Sequence, residues 1–395
     1  MHPTSVLATI TGRDRPGVTA AFFSALAAHD VEIRDVEQVV IRDQLILAVL
    51  FDLHGDPAAL RGSVTQASSA LGMECEVTIA DSTHGRRNRA ASGGRNHVIV
   101  LGHPLRAGAL SSVAQRIADI GDNIESIVQL SSEPVTSIEM IVRSRDPVRL
   151  RATLVQAAED TGVDIAVEPA GLRRRAKRLV VLDVDSTLIR DEAIDVLAER
   201  AGVSEQVRAI TASAMSGHLD FATALRDRVA LLEGLSEQDV LDVRDALRLT
   251  PGARTFVRTL RRLGYHVGVV SGGFTVFTDR FTDELGLDFA AANQLEIVDG
   301  RVTGRILGPI VDRAGKAIAM AEFAAKYGVP LAQTVAVGDG ANDIDMLEAA
   351  GLGIAFNAKS ALRAAADTSV NQPYLDTVLF VLGISSDEID EADRL

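Results

Sequence analysis

The sequence predicts two small domains of mixed α/β order followed by a larger domain built on a parallel sheet. The front half carries an internal repeat in which Gly17 and Gly108 are each followed, 21 residues later, by Gln38 and Gln129. The back half contains short apolar runs that end in polar or glycine-rich tips and are separated by helix-like stretches. That second pattern is typical of parallel strands buried on both faces.

Length and composition are those of a multidomain globular protein. The chain has 395 residues, more than one ordinary domain, and 47 % of them are hydrophobic. A formal net charge of −14 disfavours nucleic acid as a partner, because such binders need a basic surface. No apolar stretch approaches the roughly 20 residues that span a bilayer, so no membrane partner is expected. The single cysteine, Cys75, fits a reducing compartment, and we expect a cytoplasmic protein.

Each copy of the repeat has the order β-α-β-β-α-β. In the first copy, SVLATIT precedes a helix-like stretch opened by Gly17, and VEIRDVEQVVI and LILAVLFDL follow. In the second copy, HVIVLGH precedes a stretch opened by Gly108, and NIESIVQLSS and SIEMIVRS follow. This order predicts two ferredoxin-like α+β domains, over residues 1–80 and 97–170, joined by a polar linker over residues 81–96.

The loop GRDRPGVTAAFFSAL in the first copy resembles the ACT domain, a small amino-acid-sensing module, and most of both copies share the resemblance. The second copy departs from it, with Ala107 where the first has Pro16. The resemblance implies that Gly17 and Gly108 lie in or beside effector-binding loops, with serine as the candidate effector, and that the chain forms a homodimer. Turn glycines also occur for backbone reasons alone, and the tandem domains could serve only for dimerisation.

A Rossmann-like α/β domain is predicted for residues 178–385. Its strand-like runs are VVLDVD, YHVGVVSGG, TVAVGDG and LGIAF, and helix-like segments separate them. Residues 191–249 have helical periodicity without a strand pattern, which predicts a helical cap. Ligands of such sheets bind at the carboxyl ends of the strands, where the polar tips lie.

The polar tips contain the residue types that phosphoryl transfer needs. In LDVDSTLIRDE, Asp183 and Asp185 follow a strand directly, and alternate residues of a strand point the same way. Three later tips carry Ser271 in SGG, Lys316 in DRAGKAIAM and Asp339 in VGDGANDIDM. A hydroxyl beside glycine N–H groups suits a phosphate, and an ammonium group neutralises phosphate oxygens.

These four motifs, in this order, resemble those of the haloacid-dehalogenase superfamily. The resemblance implies that Asp183 is the nucleophile and Asp185 the general acid and base, with Ser271 and Lys316 completing the catalytic set. Asp185 favours a phosphatase over a dehalogenase, because a leaving alkoxide needs a proton and a halide does not. The implied cofactor is Mg²⁺, a cation that prefers oxygen ligands. The residues implied to hold it are Asp183, the Asp185 backbone carbonyl, Asp339 and, in support, Asp343.

Further stretches, LDVDSTLIRDEAIDVLAERAG and ITASAMSGHLDFATALRDRVALLEGL among them, resemble the branch of that superfamily that hydrolyses free phosphoserine, the last step of serine biosynthesis. This closer resemblance implies that Glu192 binds the substrate ammonium and Arg228 its carboxylate. Arginine suits that task because it can grip a carboxylate with two parallel hydrogen bonds. The other substrate contacts that the resemblance implies are Met215, Phe221, Ser271, Gly272, Lys316 and Asn342.

Two alternatives remain open at this stage. The chain could act on another small phosphomonoester, since one fold serves many substrates. It could also be an amino-acid-sensing regulatory protein with a vestigial catalytic half. The pair Glu192 and Arg228, which suits a zwitterion, disfavours the first alternative, and the complete motif set disfavours the second. Taken singly, such charges are usually solvated surface residues.

Overall fold

The computed structural model describes residues 3–79, 93–215 and 219–394. The chain divides into two compact units, residues 1–92 and 93–395. The predicted fold class is confirmed, with two β-α-β-β-α-β domains followed by a parallel-sheet domain that carries a helical cap. The second small domain belongs to the same compact unit as the parallel-sheet domain, which the sequence did not predict.

The first domain is a four-stranded antiparallel sheet with two helices. Its elements are β1 (Thr4–Arg13), α1 (Val18–Ala27), β2 (Val31–Ile41), β3 (Gln44–Leu53), α2 (Pro57–Ala70) and β4 (Glu74–Ile79). The strand order is β2-β3-β1-β4, so β2 is an edge strand. Buried and exposed positions alternate along β3, and its buried residues pack with those of both helices in one apolar core.

The second domain repeats this arrangement. Its elements are β5 (Gly94–Gly102), α3 (Ala107–Asp119), β6 (Asn123–Ser131), β7 (Thr136–Ser144), α4 (Pro147–Thr161) and β8 (Asp164–Pro169). The strand order is β6-β7-β5-β8. Strand β5 begins inside the segment predicted as a linker, because Gly94 and Asn96 already pair with Ser144 and Val142 of β7. Residues 80–92 of that linker lie outside the described residues.

The two glycines that mark the repeat occupy different positions. Gly17 stands immediately before α1 and has a φ of 95°, a left-handed conformation that favours glycine. Gly108 is the second residue of α3, which begins after Arg106. Equal spacing in the sequence therefore does not produce equal loops, because the second helix starts earlier in the repeat than the first.

The third domain has a seven-stranded sheet of order β12-β11-β10-β9-β13-β14-β15, parallel except for the β11–β12 hairpin. Its elements, preceded by α5 (Leu172–Arg175), are β9 (Leu179–Leu182), α6 (Ala193–Ala201), α7 (Ser204–Met215), α8 (Phe221–Ala230), α9 (Glu237–Ala246), α10 (Ala253–Arg262), β10 (His266–Phe274), α11 (Thr275–Leu285), β11 (Phe289–Val298), β12 (Arg301–Leu307), α12 (Arg313–Lys326), β13 (Thr334–Gly338), α13 (Ile344–Ala349), β14 (Gly353–Phe356), α14 (Ser360–Ala365), β15 (Thr368–Val370), α15 (Thr377–Val381) and α16 (Ser386–Arg394). None of the described helices combines the length and apolar character needed to cross a bilayer.

Helices α6 to α9 form the cap, and the two chain segments that enter and leave it lie side by side. Ile189 forms an isolated antiparallel bridge with Leu249. The buried Thr250 hydroxyl donates a hydrogen bond of 2.7 Å to the Thr187 carbonyl. These contacts join the base of the cap to the segment that follows β9.

The second small domain shares an apolar core with the parallel-sheet domain. Ile99, Leu101 and Ala166, from β5 and β8, belong to the same buried cluster as Val180 of β9 and Val335 of β13. Burial of apolar side chains from both domains in one cluster makes them a single folding unit. The second domain therefore packs as part of the same compact unit as the parallel-sheet domain.

Candidate active site

The carboxyl end of β9 carries Asp183, which is 3 % exposed and paired with a buried ammonium group. Its Oδ1 accepts a hydrogen bond from the Val184 backbone N–H at 2.7 Å and lies 2.7 Å from Lys316 Nζ. The same ammonium lies 2.7 Å from Asp343 Oδ1. Burial alone would lower the pKa of Lys316, but the charges of Asp183 and Asp343 outweigh it and raise that pKa. Lys316 therefore stays protonated between two carboxylates.

Local sequence explains why this lysine points inward. Helix α12 begins after Asp312, whose carboxylate caps it by accepting the Gly315 N–H at 2.8 Å. Lys316 then shares the buried face of the helix with Met320 and Ala324, at intervals of one turn. The apolar face that packs α12 on the sheet therefore also delivers Lys316 to the strand ends.

Three carboxylates meet at this edge of the sheet. Oxygens of Asp183, Asp339 and Asp343 all lie within 4.8 Å of one another. Burial, followed by the negative charges of Asp183 and Asp343, raises the pKa of Asp339 to about 8. Burial and the Asp183 charge likewise raise the pKa of Asp343. Crowded carboxylate oxygens are suited to a hard divalent cation, which would offset their repulsion.

The cluster differs in one respect from the predicted ligand set. Asp343, predicted only as support, lies inside the cluster. Asp343 is already engaged by Lys316 and by the Gly340 N–H, which donates to its Oδ2 at 3.1 Å. Asp183 and Asp339 are therefore the carboxylates best placed to hold a metal.

Asp185 lies in a tight turn over Val184–Leu188 and not on the strand, so strand alternation is the wrong reason for its proximity to Asp183. The turn is closed by Ser186, whose φ of 56° is unusual for a residue other than glycine. Asp185 Oδ1 accepts the Ala193 N–H at 2.8 Å. A local backbone reversal therefore brings the second aspartate to the site.

The surroundings of Asp185 make its protonation state sensitive near neutral pH. Burial first, then the negative charges of Glu192 and Asp183, raise the pKa of Asp185 to about 7. Its Oδ2 also accepts a long hydrogen bond of 3.4 Å from Ser271 Oγ. A carboxyl group with such a pKa can both donate and accept a proton at neutral pH.

The SGG segment lies at the end of strand β10, directly before helix α11 begins at Thr275. The Ser271 hydroxyl accepts the Gly273 N–H at 2.8 Å. The Gly272 carbonyl accepts Asn293 Nδ2 at 2.9 Å, and the Val311 N–H donates to Asn293 Oδ1 at 2.8 Å. Asn293 is buried, and its two hydrogen bonds join the backbone of the SGG segment to that of Val311. Sequence reasoning missed it, because a single asparagine at a strand gives no motif signal.

Contacts are described for three of the predicted substrate residues in or directly before the cap, Glu192, Arg228 and Phe221. Glu192 Oε1 accepts the Ser186 hydroxyl at 2.9 Å. The half-buried Arg228 donates from Nε to the Ala224 carbonyl at 3.2 Å. Burial lowers the pKa of Arg228, and the nearby carboxylates of the site, Glu192 among them, oppose that change. Phe221 abuts Gly272, where an added Cβ would come within 3.0 Å of the ring.

For the remaining predicted residues, the structure gives the position in the fold but few side-chain contacts. Asn342 lies on the short 3₁₀ turn Ala341–Asp343, in the same loop as Asp339, and is partly exposed. Met215 ends α7, and its side chain lies outside what the structure describes. Gly17 belongs to the other compact unit, and Gly108 to the second small domain.

The fold and site together define a haloacid dehalogenase-like hydrolase carrying two ACT domains. Residues 180–348 match the family of haloacid dehalogenase-like hydrolases, and residues 4–78 and 95–168 each match an ACT domain family. The chain is 54 % identical to a phosphoserine phosphatase of Streptomyces coelicolor, over 99 % of this chain and 95 % of that protein. It is 53 % identical to a phosphoserine phosphatase of Mycobacterium tuberculosis, over 98 % and 95 %. The chain belongs to the phosphoserine phosphatase family.

A solved structure resembles the catalytic half. It is described as a phospho-aspartyl intermediate analogue of phosphoserine phosphatase and is 42 % identical to this chain. The match covers 52 % of this chain and 98 % of that one, with a TM-score of 0.50.

Replacing the buried lysine tests the central ion pairs. Lys316→Met should lower the free energy of unfolding by about 3–5 kcal/mol, because it leaves two buried carboxylates without their counter-charge. The measurement is urea unfolding in metal-free buffer. Lys326→Met, an exposed position on the same helix whose ammonium lies 5.2 Å from the centre of the Tyr327 ring, is the control and should change the free energy by about 1 kcal/mol or less. Equal stability of the two variants would contradict this account.

Proposed function

We propose that this chain hydrolyses O-phosphoserine to serine and inorganic phosphate, the last step of serine biosynthesis, through an aspartyl-phosphate on Asp183. The observation that carries the proposal is the placement of Asp183 at a strand end, ion-paired with buried Lys316, beside a second carboxyl with a pKa near 7. Membership of the phosphoserine phosphatase family supports the choice of substrate.

In the first step, a carboxylate oxygen of Asp183 attacks phosphorus and the bond between phosphorus and the serine oxygen breaks. Asp185 donates its proton to that departing oxygen, so serine leaves as a neutral alcohol. Lys316 neutralises negative charge on the phosphoryl oxygens. The Ser271 hydroxyl, whose oxygen accepts the Gly273 N–H, and the Gly272 N–H bind the same oxygens.

In the second step, Asp185 takes a proton from a water molecule that attacks phosphorus. The bond between phosphorus and Asp183 breaks, phosphate leaves, and both carboxyl groups return to their starting protonation states. The pKa of about 7 for Asp185 suits both steps, since the residue must be an acid first and a base afterwards. The relative described as a phospho-aspartyl intermediate analogue supports this two-step route.

We propose Mg²⁺ as the cofactor, held by Asp183, the Asp185 backbone carbonyl and Asp339. The crowding of carboxylate oxygens at this edge fits a hard divalent cation. When bound, such a cation neutralises charge on the phosphoryl group and fixes its orientation. Asp343 supports the site through its contact with Lys316.

We propose that the cap residues select a zwitterionic substrate. Glu192, oriented by Ser186, would bind the ammonium group, and Arg228 would bind the carboxylate. Phe221 and Met215 would form the apolar wall, with Gly272 and Asn342 beside the phosphate. The charges of Glu192 and Arg228 act on one another, and an anion and a cation so placed match the two charges of the serine head group.

The proton-transfer role of Asp185 predicts an effect that depends on the leaving group. In a single turnover, Asp185→Asn should slow the release of serine from phosphoserine by about 10²–10⁴-fold, and should slow the release of the phenol from an activated aryl phosphate much less, because that leaving group needs no proton. Asp183→Asn is the control and should stop both reactions, since an amide cannot form the acyl-phosphate. Equal loss on both substrates in Asp185→Asn would show that Asp185 has another role.

The carboxylate contact predicts a loss that depends on the substrate. Arg228→Ala should raise KM for phosphoserine by about 10–100-fold, the value of a charge-assisted hydrogen-bonded contact, and leave KM for phosphoethanolamine nearly unchanged. Arg226→Ala, an exposed position on the same helix, is the matched control. Parallel losses on both substrates would mean that Arg228 contacts phosphate or is structural.

We further propose a cytoplasmic homodimer in which the ACT domains bind serine, with Gly17 and Gly108 in or beside the binding loops. The edge strand β2 exposes a run of large apolar side chains that suits pairing with a second copy. These residues are Ile33, Val36, Val39, Val40 and Ile41. The half-buried free thiol of Cys75 fits a reducing compartment.

Serine inhibition tests the effector proposal. Serine should inhibit the full chain, and it should inhibit much less a chain that starts at Gly93 and carries Gly108→Val, because regulation requires preferential binding to one state. Deleting residues 1–92 removes one compact unit and leaves the other whole. Unchanged inhibition that is competitive with phosphoserine would place the serine site in the active site instead.

A further inference from the structure

A buried carboxylate of the second ACT domain contacts the phosphatase domain near its catalytic edge. Asp164, the first residue of β8, is 5 % exposed. It accepts three hydrogen bonds from the segment that follows β15. The donors are the Asn371 N–H at 2.8 Å, Asn371 Nδ2 at 2.7 Å and Gln372 Nε2 at 3.0 Å. A desolvated carboxylate with three donors fixes the segment that carries them.

From this segment a chain of contacts continues to the site. The Gln372 carbonyl accepts Asn357 Nδ2 at 3.0 Å, and the Asn357 N–H donates to the Val370 carbonyl at 2.8 Å. Asn357 has a φ of 47°, a left-handed conformation that asparagine tolerates better than most residues. Two residues later, the Lys359 N–H donates to the Asp339 carbonyl at 3.2 Å. The loop after β14 is thus held at both ends.

We infer that Asp164 is a positioning residue for the phosphatase site. It fixes Asn371 and Gln372, and the Gln372 carbonyl holds Asn357 in the loop after β14. The Lys359 N–H of that loop bonds the Asp339 carbonyl. The inference rests on the proposed function, in which Asp339 is a metal ligand. Groups that orient a metal ligand from behind commonly change metal affinity or activity by about 10–100-fold when they are removed. Asp164 would act in this way from a different domain.

A second polar contact between the same two domains lies away from the site. It can therefore serve as a control for the effect of domain docking alone. Arg151 of α4 lies 3.0 Å from Asp367 Oδ1 and donates to the Val167 carbonyl at 3.0 Å. Asp367 Oδ2 accepts the Gly353 N–H at 2.9 Å. Asp367 and Gly353 stand at the amino ends of β15 and β14, whereas the Asp164 contacts lie at the carboxyl ends, where the site is. Arg151 therefore offers a matched control within one interface.

The test uses the full chain with Asp164→Asn, Asn357→Gly and Arg151→Ala. Asn357→Gly keeps a residue that accepts the left-handed backbone but removes the side-chain bond to Gln372. Four quantities are measured: kcat and KM for phosphoserine, Mg²⁺ binding to the substrate-free protein by calorimetry, and the melting temperature. Asp164→Asn and Asn357→Gly should each lower kcat and weaken Mg²⁺ binding by about 10-fold. Arg151→Ala should lower only the melting temperature.

Two results would overturn the inference. In the first, Asp164→Asn behaves like Arg151→Ala, losing thermal stability with unchanged kcat and Mg²⁺ binding, so that Asp164 only docks the domains. In the second, all three variants lose activity and metal binding alike, so that the whole interface matters without a specific path. If the wild-type protein does not hydrolyse phosphoserine, the proposed function fails, and the Mg²⁺ titration still decides the inference.

Discussion

The buried ammonium of Lys316 between Asp183 and Asp343 is the interaction on which the site depends. Two carboxylates without a counter-charge would be costly to bury at this depth, and one lysine serves both. The arrangement needs β9 and β13 to be neighbours in the sheet, so that their carboxyl ends lie together, and needs α12 to pack its apolar face beneath them. The acidic cluster therefore forms only when both the strand order and the packing of α12 are in place.

Two aspartates of one motif receive different environments. Asp183 is paired with Lys316, whereas Asp185 faces Glu192 and Asp183 and has a pKa of about 7. Separation of carboxyl groups by their surroundings is how one site can hold both a nucleophile and an acid–base residue. The turn closed by Ser186 places the second aspartate where its Oδ1 accepts the Ala193 N–H, whereas Asp183 is ion-paired with Lys316.

The two ACT domains are not equivalent parts of this molecule. The first forms its own compact unit, whereas the second shares an apolar core with the phosphatase sheet and contacts it through Asp164 and Arg151. The loops that would sense an effector differ as well, since Gly17 precedes its helix in a left-handed conformation and Gly108 lies inside one. Through Asp164, the second domain also contacts the segment at the carboxyl end of β15.

The fold class, the order of the domains and the motif residues that meet at the strand ends could be predicted from the sequence, because each depends on local periodicity or on residues adjacent in the chain. Three features could be seen only in the folded chain: Asp343 joins the acidic cluster, Asn293 donates to the Gly272 carbonyl, and Asp164 accepts hydrogen bonds from the segment that follows β15. Those contacts join segments far apart in sequence, and a single buried polar residue leaves no periodic pattern to predict its partner. Which strands are neighbours, and so which polar tips meet, follows only from the packed sheet.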